Sequence, residues 1–389
     1  MLLALVSFVR PFQSPVLVFV VVLAVVLLVP VLFRRIRIPD IIGFILAGVA
    51  IGPHGLNLVG QDSIELFSTI GLLFLMFIVG LELDLNEFQR NKKKSLVFGL
   101  LTFFIPFFVG FPVCYFLLNY SLKASILIAS MFSTHTLISY PIVSRLGLSR
   151  QESVMVVVGG TLFTDVAVLF ILAFITGQSN NATSWWPLLL VCSVFLFIVF
   201  GFYVMPRVAK WFFKRHIDLR YSHFIFVLFT VFLLSLVAEL AGLEIIIGAF
   251  SAGLILSRLI AHTSPLMNRL EFTGNSLFIP IFLISVGMLV DLKVLLNGPM
   301  AVTVAVVLTV VALFGKWLAS YLTARWLKMR NFATRLIFGL SSSHAAATIA
   351  VVLVGFNQGI IDENVLNGTI LLILITCVVS SIVTSYAAR

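Results

Sequence analysis

The chain reads as a series of long apolar runs separated by short polar ones. A helix crossing a hydrocarbon core of about 30 Å needs about 20 apolar residues. Runs of that kind recur along the chain, at residues 15–33, 39–59, 64–81, 95–118, 122–146, 152–176, 185–205, 221–240, 243–260, 272–290, 301–322, 332–356 and 365–386. All are expected to be helical, because lipid offers unpaired backbone groups nothing to bond. The predicted fold class is an all-α polytopic membrane protein of about 13 transmembrane helices, forming one membrane domain over 1–389.

Composition agrees with that pattern. Hydrophobic residues make up 61% of the chain and charged residues 10%, which excludes an ordinary soluble domain. A net charge of +10 raises the question of nucleic acid, but the charges sit in short loops between apolar runs. Membrane orientation explains them better, and no nucleic-acid partner is expected. Cys114, Cys192 and Cys377 lie in apolar runs without metal-ligand spacing. No cleavable signal is expected from residues 1–9, which carry no basic segment.

The loops fix an expected orientation. Of 25 Lys and Arg residues, 21 follow odd-numbered spans or the last one; Arg10, Lys123 and Lys293 lie on the other side and Lys316 inside a span. The positive-inside rule then puts the N-terminus outside and the C-terminus in the cytoplasm, with prokaryotic inner membrane as the expected location.

The chain also repeats itself. IGFILAG at 42–48 returns as IGAFSAG at 247–253, and VGLELDL at 79–85 as VGMLVDL at 286–292. The offsets are 205 and 207 residues, and an odd number of spans separates each pair, so the halves are inverted. The predicted layout is a first inverted repeat over 39–176, linking spans over 185–240 and a second repeat over 243–386. Inverted repeats with a midplane site between them are a recurring plan of secondary transporters.

A few polar residues interrupt the apolar runs. Asp165 lies 13 residues into span six, about 20 Å along a helix and so near mid-bilayer. An acid at that depth costs about 2.5–3.5 kcal/mol, so it faces a polar path or a partner. A protonated, hydrogen-bonded Asp is the plainer alternative. Ser133-Thr134-His135-Thr136 with Pro141 in span five, and Ser341-Ser342-Ser343-His344 in span twelve, mark helices that break at mid-membrane. Intact helices whose hydroxyls bond back to their own carbonyls are the alternative there. His135 and His344, 209 residues apart, are near symmetry mates, with pH tuning or structural bonding equally open to them.

These residues resemble the monovalent cation–proton antiporter superfamily, in its Kef-type and NapA-type branch. The resemblance covers essentially the whole chain. It rests on 80–84 (GLELD), Gly248-Ala249-Phe250 with Ala252-Gly253, Ser285 to Met288, Gly315-Lys316 and Thr164-Asp165. It implies a homodimer of thirteen or fourteen helices per chain, with a dimerisation domain and a mobile core containing two crossed, broken helices. It further implies that Asp165 binds either a cation or a proton. Thr134 matches the threonine of the first broken helix and Lys316 the lysine beside the crossing. The implied function is exchange of Na⁺ or K⁺ for a proton by alternating access, in pH homeostasis, with no resident cofactor and no enzymatic activity.

Two departures from the family are visible. Electrogenic members carry an Asp-Asp pair, and here the first position is Thr164. One carboxylate points to electroneutral one-for-one exchange, with Thr134, Thr164 and freed carbonyls helping to bind the ion. Ser343-His344-Ala345 replaces the Arg- or Glu-containing motif of many relatives. Lys316 is expected to balance half-helix carbonyl ends, with snorkelling as its alternative. Glu239, Glu244, Asp84 and Asp291 read as solvated caps at span ends. The rival functions are a Kef-type gated potassium efflux system, an intramembrane hydrolase using Asp165 with a histidine, and transition-metal transport through His135, His344 and Asp165. Many relatives carry a cytosolic regulatory module after the last span, and its removal here is expected.

Overall fold

The computed structural model describes residues 14–35, 39–82, 85–177, 196–197, 199–215, 220–261, 264–290 and 299–388. Asp84, Asp291, Cys192, Lys293, Arg10 and most of predicted span seven lie outside the described residues. All regular structure among the described residues is helical. The first part of the chain forms α1 (Pro15–Arg35), α2 (Asp40–Ile51), α3 (Glu65–Glu82), α4 (Leu85–Pro112), α5 (Leu122–Met131), α6 (Tyr140–Arg145) and α7 (Glu152–Gly177). Then follow α8 (Met205–Arg215), α9 (Arg220–Leu240), α10 (Ile245–Leu256), α11 (Pro265–Thr273) and α12 (Ile279–Met288). The chain ends with α13 (Pro299–Trp326), α14 (Asn331–Ser341), α15 (Ala346–Asn357) and α16 (Glu363–Ala387).

Among the described residues, eight helical stretches are long and apolar enough to cross a bilayer, and four apolar helices are shorter. Thirteen full-length spans are therefore not reached by length alone. Some runs hold less helix than their hydropathy suggests. The run 39–59 stops being helical at Ile51, because Gly52 turns extended and Pro53 follows. Span four begins ten residues before its apolar run, as the polar Asn91–Lys94 stretch continues the same helix. Large apolar side chains face outward, with Leu27 71% and Phe116 73% exposed. A surface of that kind has hydrocarbon as its solvent, so the chain is a multi-pass membrane protein.

The helices sort into two bundles. In the first, α2 packs on α12, α3 on α10 and α9 on α10; in the second, α4 packs on α7 and α13, and α16 on α13 and α14. Glycines set two close crossings of the first bundle. A Cβ on Gly48 would stand 2.0 Å from Ile284 O, and one on Gly287 2.0 Å from Ile45 O. Equally, a Cβ on Gly80 would stand 2.3 Å from Phe250 O, and one on Gly253 2.2 Å from Phe77 O. Only a residue without a side chain permits such backbone contact. Gly48 corresponds to Gly253 and Gly80 to Gly287 in the internal repeat, so the repeat maps one crossing onto the other.

The bundles are tied at one end. Arg145 Nη1 at the end of α6 meets Asp40 Oδ2 of α2 at 3.2 Å. Glu82, buried at the end of α3, accepts from Tyr140 Oη at 3.0 Å, Ser144 Oγ at 2.6 Å and Ser149 Oγ at 2.6 Å. Both contacts grip α6 and its following turn.

Candidate ion-binding site

Two helices of the second bundle are interrupted. Between α5 and α6 the chain is non-helical from Phe132 to Ser139, and between α14 and α15 from Ser342 to Ala345. Pro141 restarts the first, in the opening turn of α6, where a missing N–H costs nothing. The two breaks cross and satisfy each other. Thr136 N donates to Ser343 O at 2.9 Å, and Ser343 Oγ donates to Thr136 O. Thr134 Oγ1 bonds Thr348 Oγ1 at 2.8 Å and donates to Met131 O at 2.7 Å. Ser133 Oγ donates to Phe103 O at 2.7 Å, and His344 N to Thr376 Oγ1 at 3.3 Å. Buried backbone groups released by a break must find partners, and these do.

Lys316 of α13 closes the crossing from one side. Its ammonium, fully buried, donates to Ser133 O at 2.6 Å, Thr102 Oγ1 at 3.1 Å and Thr102 O at 3.5 Å. Its fourth neighbour, His135 Nδ1 at 3.5 Å, must be an acceptor, because an ammonium has only donors. That assigns the proton of His135 to Nε2, which donates to Thr161 Oγ1 at 2.8 Å. Thr161 passes the chain on to Val157 O at 3.0 Å. The other ring, His344, has Nδ1 at 3.0 Å from Ser342 O and Nε2 at 3.4 Å from Phe132 O, and as a neutral imidazole it donates to one of these two carbonyls. His135 ties the first break to α13 and α7.

Asp165 stands one helical turn beyond Thr161 on α7, 4% exposed. Its Oδ1 is buried and accepts no hydrogen bond. Thr164 Oγ1 donates to Thr161 O at 2.9 Å. Lys316 and Asp165 act on each other electrostatically, but the donors of Lys316 go to the crossing and not to the carboxylate. Another acid in the membrane region is Glu244, between α9 and α10, after a turn that reverses at Gly242 with φ 77°. Glu244 occupies the N-cap of α10, yet its side chain makes no cap hydrogen bond, and Oε2 is buried without a partner. A solvated cap does not describe it; Glu239, five residues earlier, is exposed.

The structure thus gathers Ser133, Thr134, His135, Ser343, His344 and Lys316 at one crossing, with Thr164 and Asp165 a turn away from the Thr161 link. Among the described residues no three His, Cys, Asp or Glu side chains converge as metal ligands, so the transition-metal reading through His135, His344 and Asp165 fails. Thr102, Thr161, Thr348 and Glu244 were not singled out by the sequence as members of the site. Thr161 had a signal, four residues before Asp165 and so on its face of the helix. Thr348 follows Thr134 by 214 residues, close to the repeat offset.

Comparison with known proteins follows the same line. The family model for the transmembrane sodium/hydrogen exchanger matches residues 21–389. The Na⁺/H⁺ antiporter NhaS5 of Synechocystis sp. is 36% identical over 96% of the chain, which spans 55% of that relative's length. A probable Na⁺/H⁺ antiporter 3 of Methanocaldococcus jannaschii is 26% identical, with 95% of each chain covered. The K⁺/H⁺ antiporter 1 of Saccharomyces cerevisiae is 25% identical over 96% of the chain and 47% of its own length. The solved structure of the sodium proton antiporter MjNhaP1 from M. jannaschii superposes with a TM-score of 0.70 at 17% identity, covering 100% of this chain and 98% of the other. With an inverted repeat, crossed broken helices and a family match over nearly its whole length, the chain belongs to the sodium/hydrogen exchanger family.

Proposed function

We propose that the chain exchanges one monovalent cation, Na⁺ or K⁺, for one proton, with Asp165 as the shared binding group. The observation that carries the reading is the Asp165 carboxylate, buried within a membrane helix and holding an oxygen with no donor. An ionised carboxylate in that position needs a positive partner, and both a cation and a proton supply one. Binding of either excludes the other, and this competition couples the two fluxes. Thr164 and Thr134 offer further oxygens near the path. Lys316 holds the carbonyl ends of the crossing in place. Relatives named for Na⁺/H⁺ and for K⁺/H⁺ exchange support the substrate class and leave the ion open. They lend no support to a gated efflux system of the Kef type.

Alternating access follows if the second bundle moves against the first, within a homodimer whose N-terminus faces outward. The ties from Asp40 and Glu82 to α6 and its following turn then hold one end state. With Thr164 in place of a second acid, each cycle carries one charge in each direction.

Proton flux in proteoliposomes, with Na⁺, K⁺ and Li⁺ added in turn, tests the reading. Cation addition should dissipate a preset pH gradient in wild type and not in Asp165→Asn, at a rate unchanged when voltage is clamped. Voltage sensitivity would contradict the one-for-one stoichiometry. Cation movement unaffected by Asp165→Asn would contradict the site.

A further inference from the structure

We infer that Thr161 and His135 are positioning residues for exchange: the hydrogen bond between them fixes where the Thr164–Asp165 turn of α7 stands against the helix crossing. The inference rests on the proposed role of Asp165 and adds what holds that carboxylate in place. Asp165 Oδ1 accepts no hydrogen bond, so its position is set through the helix that carries it. α7 is apolar along most of its length, and lipid tails are as apolar as its neighbours, so hydrophobicity selects its rotation only weakly. Interhelical hydrogen bonds and close packing make that selection in a membrane.

Both act at one point of α7. His135 Nδ1 accepts from Lys316 at 3.5 Å, which leaves Nε2 as the donor to Thr161 Oγ1 at 2.8 Å. Thr161 Oγ1 in turn donates to Val157 O at 3.0 Å, so it meets the imidazole as an acceptor. Phe98 of α4, fully buried, stands edge-to-face with the imidazole, ring centroids 5.9 Å apart and planes at 81°. The same phenyl ring lies against Gly160, where a Cβ would stand 2.4 Å from Phe98 Cδ1. Residues 160 and 161 together therefore key the rotation of α7. Asp165 follows Thr161 by four residues, on the same helix face, and Thr164 Oγ1 donates to Thr161 O at 2.9 Å. At the other end of the bond, His135 follows Thr134 directly in the chain. One hydrogen bond thus joins the first break to the ion-binding turn, and it acts through Thr134, Thr164 and Asp165, not on the ion itself.

The test uses the full chain in proteoliposomes, with Na⁺ and K⁺ as probes against choline, and thermal unfolding of the purified protein beside it. Thr161→Val removes the acceptor of His135. It should raise the cation concentration for half-maximal exchange about tenfold, because small misplacements of a reacting group are costly. Thr161→Ser keeps the hydroxyl and should stay within about twofold of wild type. His135→Gln, whose amide offers one acceptor and one donor, should give about a threefold rise. Adding His135→Gln to Thr161→Val should raise half-saturation no further, since both changes break one contact. Ser95→Ala removes another buried bond to α7, the 3.5 Å contact with Met155 O, and should keep wild-type half-saturation. A merely structural role would lower the unfolding temperature of both Thr161→Val and Ser95→Ala and shift half-saturation in neither. Where Thr161→Val does not fold, Thr161→Ala takes its place, and where neither folds His135→Gln decides. Wild-type half-saturation in the deciding variant, or a Thr161→Ser as impaired as Thr161→Val, would overturn the inference. If Asp165→Asn still abolishes exchange in that case, only the positioning role fails. If Asp165→Asn exchanges normally, the reading of the whole site fails.

Discussion

The helix crossing and the two acids Asp165 and Glu244 both put buried polar atoms within apolar segments, yet they are completed in opposite ways. At the crossing, the Lys316 ammonium has three oxygen acceptors and one imidazole nitrogen, and the two interrupted segments bond each other. At each of the two acids, one buried carboxylate oxygen meets no donor. A buried group that is fully bonded has its partners inside the fold and holds the fold together. A buried oxygen left open carries a cost that a ligand can remove. On the function proposed above, the difference separates the part of the membrane core that is architecture from the part that handles ions.

Mutations should split along the same line. The largest effect on transport is expected from Asp165→Asn, which should cut cation-driven proton flux below about 1% of wild type. Its unfolding temperature should stay close to wild type, since the lost oxygen bonds nothing within the chain. Lys316→Met should do the reverse, lowering stability by about 3 kcal/mol by leaving Ser133 O and Thr102 Oγ1 without their donor. Thermal unfolding of the purified protein reads this directly. A stable Lys316→Met would erase the distinction between the two regions.

Smaller effects are expected where the bundles are tied. Glu82→Gln keeps one acceptor for three hydroxyls and should destabilise by about 1–2 kcal/mol in the same assay. Arg145→Gln should change stability by less than about 1 kcal/mol, because its pair with Asp40 is half exposed on the arginine side. If Arg145→Gln cost more than Glu82→Gln, the tie would lie in the surface pair and not in the buried carboxylate.

Much of this was legible in the sequence, for physical reasons that also mark where legibility stops. Span six was read as 152–176 and α7 runs Glu152–Gly177, because hydropathy fixes where a helix enters and leaves lipid. The two breaks announced themselves through Ser, Thr and His clustered in apolar runs and through Pro141. The repeat motifs became the glycine crossings at Gly48–Gly287 and Gly80–Gly253. The partners of Lys316 were not readable, since carbonyl oxygens carry no residue-type signal and their direction depends on how two breaks cross. Glu244 was misread for a related reason. An acid next to a Gly-containing turn usually caps a helix in water, whereas Glu244 makes no cap bond and its Oε2 is buried. Where Gly and Pro interrupt an apolar run, backbone chemistry sets the helix end instead, as α2 shows by stopping at Ile51.

The central claim is that a cation and a proton compete for Asp165. Proton release on cation binding to the purified protein, followed with a weakly buffered indicator while Na⁺ or K⁺ is added, tests this without any assumption about transport. About one proton per bound cation is predicted for wild type, and none for Asp165→Asn, because metal-ion binding to a carboxylate displaces its proton. Cation binding with no proton released by wild type, or release that persists undiminished in Asp165→Asn, would contradict the account.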